Sequence, residues 1–289
     1  MRWAEDAEKM QEMLPVPPMM GGYARLQSEK IARQKGLDCV TADIVKETEK
    51  IYADFIGQEK TEQLRAFLAG TGPEPQLEDE LFFDDPGALY HIDVCFTKYG
   101  ENSTLVRDML KEMMRSLTAI MKEEKVTELM ADRATVALHG ASRFTVGMTG
   151  CPNCCVSPYM KDFGIIMLHR VDITDAECTR CGNCLPMCVD DAIRLIDDGP
   201  VIDRMKCAQC ELCARDCPTG KLVVNERGFR VIAGGGSGRQ PILADTVEDF
   251  TSKERVEQIL KNAITTLRNA QPGETLKTII KQKGVEVLR

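Results

Sequence analysis

Eight cysteines between residues 178 and 217 constrain the fold of this chain more than any other feature. They form the pattern Cys-x2-Cys-x2-Cys-x3-Cys twice, with eighteen residues between the two copies and a proline after the last cysteine. With this spacing, three thiolates on one tight loop can bind three irons of a [4Fe-4S] cubane, while the displaced fourth thiolate completes a second cubane. The segment is therefore expected to fold as two loops that exchange their last ligands.

The doubled pattern matches the cysteine run of bacterial ferredoxins twice, which predicts a two-cluster ferredoxin domain over residues 175–224. The first cluster is expected to be bound by Cys178, Cys181, Cys184 and Cys217. The second cluster is expected to be bound by Cys207, Cys210, Cys213 and Cys188. Zinc ribbons, the alternative, would use two separated Cys-x2-Cys pairs and leave the other thiols unexplained. The first copy departs from the ferredoxin run at Val189, where proline is usual.

The composition limits the location and the partners of the protein. Thirteen cysteines are expected to bind metal rather than form disulfides, because the charged N-terminus MRWAEDAEKMQ is unlike a secretory signal and the cytosol keeps thiols reduced. We therefore expect a cytoplasmic protein. No apolar run approaches the roughly eighteen residues of a membrane span, so direct membrane insertion is not expected. The net charge of −8 argues against binding to nucleic acid, which requires clustered lysine and arginine.

The pattern along the chain predicts an α+β protein of several parts. Residues 1–70 are expected to form a helical domain, with Thr41 capping one of its helices. Residues 71–87 combine proline, glycine and acids as a linker does. An α/β domain is then expected over 88–174 and 225–289, with the ferredoxin domain inserted between its two pieces.

Hydrophobic periodicity supplies the elements of the α/β domain. Its strands are predicted at YHIDVCF, ATVALHG, RFTVGMT, GIIMLHRVDI and FRVIA, and its long helices at 103–125 and 252–269. A turn is predicted at Glu226-Arg-Gly228, and a hairpin with an Asp-Gly turn at AIRLIDDGPVID. The buried stripe of the first helix is expected to consist of Leu105, Met109, Met113, Leu117 and Ile120.

A second cysteine motif, TGCPNCC from Thr149, lies upstream of the ferredoxin run. The segment 143–155, with the following Lys161-Asp-Phe-Gly-Ile-Ile166, resembles the Cys-x3-Cys segment of the siroheme sulfite and nitrite reductases. In that family an Asp-Ile-Gly-like strand follows the cysteines. Dissimilatory and anaerobic members carry a two-cluster ferredoxin just after this strand, and their sheet then resumes with a Gly-Gly-Lys-x-Gly-Arg loop. Here the loop is GGGSGR, ending at Arg239. The resemblance covers about residues 88–270.

The resemblance implies a third [4Fe-4S] cluster held by Cys95, Cys151 and Cys155. In the family two further cysteines, spaced Cys-x5-Cys, lie upstream of the Cys-x3-Cys segment. Cys95 stands at the first of these positions, and this chain has Glu101 at the second. Either Glu101 or the extra Cys154 could supply the fourth ligand, although soft thiolates suit iron-sulfur clusters better than carboxylates. The alternative is a site without metal, whose cysteines persist as small buried hydrophobic residues.

Siroheme is not expected in this chain alone. In the family the tetrapyrrole lies between two pseudo-symmetric halves whose arginines and lysines neutralise its eight carboxylates, and this chain has room for one half. Arg170 and Arg239 could serve one or two carboxylates, and the loop lysine of the family is absent. Since a buried unpaired carboxylate is costly, a partner chain would have to supply the rest.

The helical N-terminus carries a second resemblance. The pattern W-x-x-D-A-E…L-x-V-P, followed by Glu29-x-x-Ala32-x-x-x-Gly36 and Val40-Thr41, is similar to the small helical domain that ends the catalytic subunit of light-independent protochlorophyllide reductase. The match covers about fifty residues and contains no ligand motif. The alternative, which we favour, is a helical docking unit, and no substrate residue can be carried over from the resemblance.

Together these patterns predict an electron-transfer subunit of an anaerobic redox complex, with two [4Fe-4S] clusters and a candidate third, whose partners are other redox subunits. One alternative is a sulfite or nitrite reductase in which Cys155 bridges a cluster to siroheme. In that interpretation Arg170 and Arg239 contact carboxylates or an anionic substrate, and a second chain or a symmetry-related copy completes the pocket. The other alternative is a two-cluster ferredoxin fused to docking domains without metal.

Overall fold

The computed structural model describes residues 1–16, 21–73, 88–95, 103–134 and 143–289. The chain divides into two compact units, Met1–Phe82 and Phe83–Arg289. The predicted mixture of helices and sheet is confirmed. The described helices are each too short or too polar to cross a bilayer. The predicted strand ATVALHG and the linker fall largely outside the described residues.

In the part of the chain that the structure describes, the first unit has four helices around a small apolar core. Its helices are α1 (Glu5–Glu12), α2 (Gly21–Gln34), α3 (Ala42–Ile56) and α4 (Gln58–Leu68). The prediction of an entirely helical region is wrong in one respect, because β1 (Arg2–Trp3) pairs in parallel with β2 (Cys39–Val40). Thr41 does precede α3 with extended backbone, but its side chain makes no capping hydrogen bond.

The second unit contains a five-stranded sheet in the order β3-β4-β5-β8-β9. Its strands are β3 (Tyr90–Cys95), β4 (Phe144–Thr149), β5 (Phe163–Ile173), β8 (Leu222–Ala233) and β9 (Asp245–Thr251). The first three strands run parallel, whereas β8 is antiparallel to both β5 and β9. The carboxyl ends of β3, β4 and β5 therefore point to the same edge of the sheet.

Helices cover one face of this sheet. They are α5 (Ser103–Glu123), α6 (Val126–Arg133), α9 (Lys253–Arg268) and α10 (Leu276–Lys283). The helix α9 begins where the Ser252 side chain accepts a hydrogen bond from the Arg255 amide. Its buried side chains, Val256, Ile259, Leu260, Ala263, Ile264 and Leu267, repeat at helical spacing and join the main core. This packing fixes the sheet that carries the cysteine segments.

The segment between β5 and β8 forms a smaller layer of its own. It contains α7 (Cys184–Met187), the antiparallel hairpin β6 (Ile193–Ile196) and β7 (Gly199–Ile202), and α8 (Leu212–Arg215). The hairpin is at the predicted place, but Asp197 and Asp198 form its turn and Gly199 already pairs with Ile196. Its core consists of apolar residues from the hairpin, β5 and β8 together with several cysteine side chains.

Two further predictions about the second unit are wrong, and one strand is missing from them. No turn interrupts the chain at Gly228, because β8 continues through that residue. The strand β9 was not predicted at all. Leu105 does not belong to the buried stripe of α5, since 47% of it is exposed, and Val106 and Leu110 are buried instead.

Candidate iron-sulfur centres

The first predicted cysteine quartet lines a single cavity. The lining of this cavity includes Cys178, Cys181, Cys184 and Cys217. Arg180 and Gly182 adopt positive φ angles of 56° and 78°, which turn the loop tightly around the cavity. Leu195, Pro200 and Leu222 supply apolar wall. The structure therefore brings together three thiols from one loop and a fourth from the end of the other loop.

The electrostatics of this quartet suit a cationic cluster. Burial raises the pKa of the Cys184 thiol, and the nearby Cys181, Cys178 and Cys217 thiols raise it further. Burial acts in the same direction on Cys217, but hydrogen bonds from backbone amides, including the Leu222 amide at 3.4 Å, hold the Cys217 pKa below its ordinary value. Four adjacent thiolates repel one another unless metal neutralises them. The residues present therefore fit a [4Fe-4S] group.

The second predicted quartet is also assembled. Burial raises the pKa of Cys213 to about 12, and the neighbouring Cys210, Cys207 and Cys188 thiols contribute in the same direction. Cys188 accepts a hydrogen bond from the Ala192 amide at 3.2 Å. The cysteine from the first loop thus lies beside the three cysteines of the second loop. The four thiols are therefore close enough to interact, as the ligands of a shared cluster must be.

The thiols of each quartet are not gathered as a single ion would require. Within the described part of the chain, no group of three or more histidine, cysteine or acidic side chains could hold one metal ion. Tetrahedral zinc needs four ligand atoms within about 2.3 Å of one centre. A four-iron cubane binds each thiolate through a different iron and so accepts ligands that are farther apart. The described thiols are therefore not arranged for a single ion such as zinc.

The residues of the proposed third centre lie at the carboxyl ends of β3 and β4. Cys95 is the last residue of β3 and is in register with Thr149, the last residue of β4. The Gly150 amide donates a hydrogen bond to the Cys95 carbonyl at 3.2 Å, which keeps the two strand ends together. Cys151 is buried and Cys155 is exposed. Glu101, one candidate for the fourth ligand, lies outside the described residues.

Cys154, the other candidate, occupies a partly buried position in the same turn. Its backbone has a φ of 54°, and its side chain packs against the small apolar cluster on the sheet face. Burial raises the pKa of Cys154 to about 11, and the thiols of Cys151 and Cys155 act in the same direction. The turn therefore places three thiols near one another. The thiolate form of Cys154 is disfavoured unless metal binds it.

An open pocket adjoins Cys155. Its volume is about 380 Å³, and its other lining residues are Asp93, Val156, Ser157, Met160, Lys161 and Ser237. Lys161 donates a hydrogen bond to Asp93, which also pairs with His91 at 2.8 Å. Burial alone would raise the pKa of Asp93, but Lys161 and His91 together hold that pKa below its ordinary value. Sequence reasoning did not select Lys161 or Asp93, because neither belongs to a spaced motif.

The two arginines suggested for carboxylate binding have different surroundings. Arg170 is exposed, forms an ion pair with Glu226 at 2.8 Å and stacks on the Phe250 ring with its guanidinium carbon 3.7 Å from the centroid. Arg239 is exposed in the loop that follows β8. The structure does not bring either arginine into the lining of the pocket beside Cys155.

A buried polar group that the sequence did not reveal lies between the cysteine segments. The His169 residue is 1% exposed, and its side-chain Nε2 atom lies 3.2 Å from the Gly150 carbonyl oxygen. The Nδ1 atom lies 3.4 Å from a Glu211 carboxylate oxygen, which also accepts from Arg227 at 3.1 Å. Burial lowers the pKa of His169, and Glu211 acts in the opposite direction. Four separate segments supply these residues, so no local pattern could have indicated the group.

Comparison with known proteins identifies the family. Residues 139–289 match the family model described as the nitrite and sulphite reductase 4Fe-4S domain. The chain is 31% identical over 144 residues to a coenzyme F420-dependent sulfite reductase of Methanocaldococcus jannaschii, covering 49% of this chain and 23% of that protein. It is 32% identical over 81 residues to an uncharacterized ferredoxin of the same organism, covering 27% of this chain and 54% of that protein. The chain thus spans about a quarter and about half of these relatives.

Among solved structures, that of dissimilatory sulfite reductase I aligns with a TM-score of 0.39 and 17% identity, over 50% of this chain and 41% of that one. The predicted resemblance to the sulfite and nitrite reductases is confirmed by the family match. The resemblance of the helical region to protochlorophyllide reductase stays a prediction. The family model covers just over half of the chain, including the TGCPNCC motif and both quartets. The chain therefore belongs to the nitrite and sulphite reductase 4Fe-4S domain family and is an iron-sulfur redox protein.

Proposed function

We propose that this protein is an electron-transfer subunit that binds two ferredoxin-type [4Fe-4S] clusters, with a third centre at the carboxyl ends of β3 and β4. The crossed cysteine quartets carry this proposal, because each joins three thiols of one loop to the last thiol of the other. A [4Fe-4S] group supplies one-electron redox chemistry when it is bound. The protein supplies the thiolates, the backbone amides that stabilise them and the apolar wall that limits access of water.

The domain interpretation follows from the same arrangement. We take 175–224 as a ferredoxin domain inserted into the α/β domain of 88–174 and 225–289, with 1–70 as a separate helical domain and 71–87 as its linker. Support comes from the separate small core between β5 and β8. The third centre would be held by Cys95, Cys151 and Cys155, with Cys154 or Glu101 as the fourth ligand. The thiols of Cys151 and Cys155 near Cys154 support Cys154 as the fourth ligand.

An electron relay requires exposed points of entry and exit. Cys181 of the first quartet and Cys155 of the candidate third centre are both exposed. The apolar side chain of Val189, next to Cys188 in the chain, is 81% exposed. These features favour transfer to and from other redox subunits. That the complex is anaerobic and cytoplasmic is part of the proposal and rests on the sequence alone.

A siroheme-dependent sulfite or nitrite reductase is the second candidate. The open pocket beside Cys155, with the Lys161 ammonium at its wall, favours it. In this interpretation Cys155 would bridge a cluster to the siroheme, and Arg170 and Arg239 would contact carboxylates or the anionic substrate. A partner chain would supply the remaining cations. The similarity to a protein named as a sulfite reductase agrees with this class of reaction.

Metal analysis of anaerobically purified protein tests the proposal. Two clusters correspond to about eight irons per chain and three clusters to about twelve. Cys155→Ala should lower a count of about twelve to about eight, while Cys39→Ala, a change at the lone cysteine of the first unit, should leave it unchanged. Zinc-loaded, colourless protein that dithionite cannot reduce would overturn the relay. A siroheme absorption band in the purified protein would favour the second candidate instead.

A further inference from the structure

His169 connects the TGCPNCC turn to the loop of the second quartet through hydrogen bonds. Its Nε2 atom bonds to the carbonyl oxygen of Gly150, the residue before Cys151, at 3.2 Å. Its backbone amide donates to the carbonyl oxygen of Gln209, the residue before Cys210, at 2.8 Å. A continuous chain of covalent bonds and two hydrogen bonds therefore runs from Cys151 to Cys210.

The chemistry of the acceptor determines the hydrogen position on His169. A carbonyl oxygen can only accept, so Nε2 carries the hydrogen in this contact. The Nδ1 atom has no hydrogen-bond partner in the described residues, despite the Glu211 oxygen at 3.4 Å. The ring is thus held by one directed bond at Nε2 rather than by its other nitrogen.

The surroundings keep the His169 ring in place. His169 lies in β5 directly across from Arg227 in β8, and it also forms a β-bridge with Cys210. The Arg227 side chain is bound to Glu211, whose side chain is 7% exposed. Packing of this density leaves the imidazole little freedom to rotate. Among the described residues, His169 makes no such hydrogen bond to the loop of the first quartet.

We propose that His169 is a positioning residue that couples the second cluster, rather than the first, to the candidate third centre. This inference rests on the proposed function, because it needs metal at both cysteine segments. The hydrogen-bonded chain through Gly150 and Gln209 is the route of electronic coupling, since electrons tunnel better through bonded atoms than through gaps. In this arrangement the second cluster, rather than the first, exchanges electrons with the third centre.

Two substitutions separate coupling from simple packing. In His169→Gln the side-chain amide nitrogen corresponds to Nε2 and can still donate to Gly150. In His169→Asn the same amide is one methylene shorter and cannot reach that carbonyl. Met167→Leu, a change two residues earlier on the same face of β5 and at a fully buried site, serves as the control for altered packing.

The measurement is the redistribution of electrons within the chain. Full-length protein with its clusters is mixed anaerobically with one electron equivalent of dithionite per chain, frozen after increasing times and examined by electron paramagnetic resonance. We expect His169→Gln and Met167→Leu to exchange electrons between second-cluster and third-centre signals at the wild-type rate. His169→Asn should lose the fast phase of this exchange while keeping the wild-type iron content and midpoint potentials.

Several outcomes would overturn the inference. Equal exchange rates in the Asn and Gln variants would show that the Nε2 contact does not carry the coupling. Loss of third-centre iron in His169→Asn alone would assign the contact to holding the cysteine turn. A wild-type count of about eight irons would remove the third centre and this inference together, but would leave the ferredoxin pair of the proposed function standing.

Discussion

Replacement of Gly235 by alanine should destabilise the second unit through a clash with the turn that lies beside the Cys155 pocket. A Cβ atom at this position would lie 2.2 Å from the Tyr159 carbonyl oxygen and 2.7 Å from the Lys161 carbonyl oxygen. An ordinary contact begins near 3.4 Å, so the Tyr159 carbonyl must retreat by about 1.2 Å, the difference between 3.4 and 2.2 Å. That carbonyl accepts from the Ala244 amide at 2.8 Å, and the movement would break this bond.

The expected cost can be calculated from these two effects. Insertion of a methyl group into close-packed structure costs about 1–3 kcal/mol, and loss of one hydrogen bond costs about 1 kcal/mol. A total near 3 kcal/mol should lower the thermal midpoint of a unit of this size by about 6–12 °C.

Thermal unfolding monitored by circular dichroism, together with iron analysis, checks the Gly235 prediction. Gly238→Ala is the matched control, because a Cβ there meets nothing within 4 Å in the same loop. Because Met160 and Lys161 line the pocket beside Cys155, Gly235→Ala should also reduce occupancy of the third centre. Midpoints of the two variants that agree within about 2 °C, less than 1 kcal/mol for a unit of this size, would refute the steric argument.

Two further predictions concern the quartets and the end of α9. Cys217→Ala and Cys188→Ala should each remove about four irons but abolish the paramagnetic signals of different clusters, and loss of the same signals in both variants would contradict the crossed ligation. Arg133→Ala should lower the free energy of unfolding by about 2 kcal/mol, because its guanidinium donates to four backbone carbonyls at and beyond the end of α9. Arg133→Lys should recover only part of this loss, and full recovery in denaturant titrations would show that charge alone is sufficient.

Patterns that depend on local spacing predicted structure well. The helix predicted at 252–269 is found as α9 over Lys253–Arg268, since apolar residues at helical spacing need no information from elsewhere in the chain. The cysteine spacing indicates which thiols of one loop lie together, because each loop can reach only a limited volume. The fourth thiol of each quartet comes from the other copy of the motif, so its position depends on how the two copies pack.

Predictions failed where a distant residue determines the local structure. The sequence pattern predicts a turn at Gly228, but a Cβ there would lie 2.6 Å from the Phe250 ring of the neighbouring strand. Glycine is needed at this point for close approach of that ring, and β8 continues through it. The strand β9 was missed because it pairs on one side only and buries only Val247 fully, so its sequence lacks an alternating apolar pattern.

The candidate third centre could be predicted only in part for the same reason. The cysteines of the turn follow from the motif, but the position of Cys154 depends on a positive φ angle and on apolar residues of β5 and β8. His169 could not be selected, because its partners Gly150, Gln209 and Glu211 come from other segments of the chain. A lone histidine in an apolar strand gives no local indication of such partners.

The contacts of Arg170 indicate that this chain on its own is better suited to electron transfer than to binding siroheme. A tetrapyrrole with eight carboxylates needs cations that are free to approach it, and removal of an arginine from an existing partner costs energy. Arg170 is already paired with Glu226 and stacked on Phe250, so it would have to exchange both contacts for a carboxylate. Lys161 is likewise engaged with Asp93. A siroheme enzyme would therefore depend even more strongly on a partner chain, whereas the cysteine quartets are complete within this one.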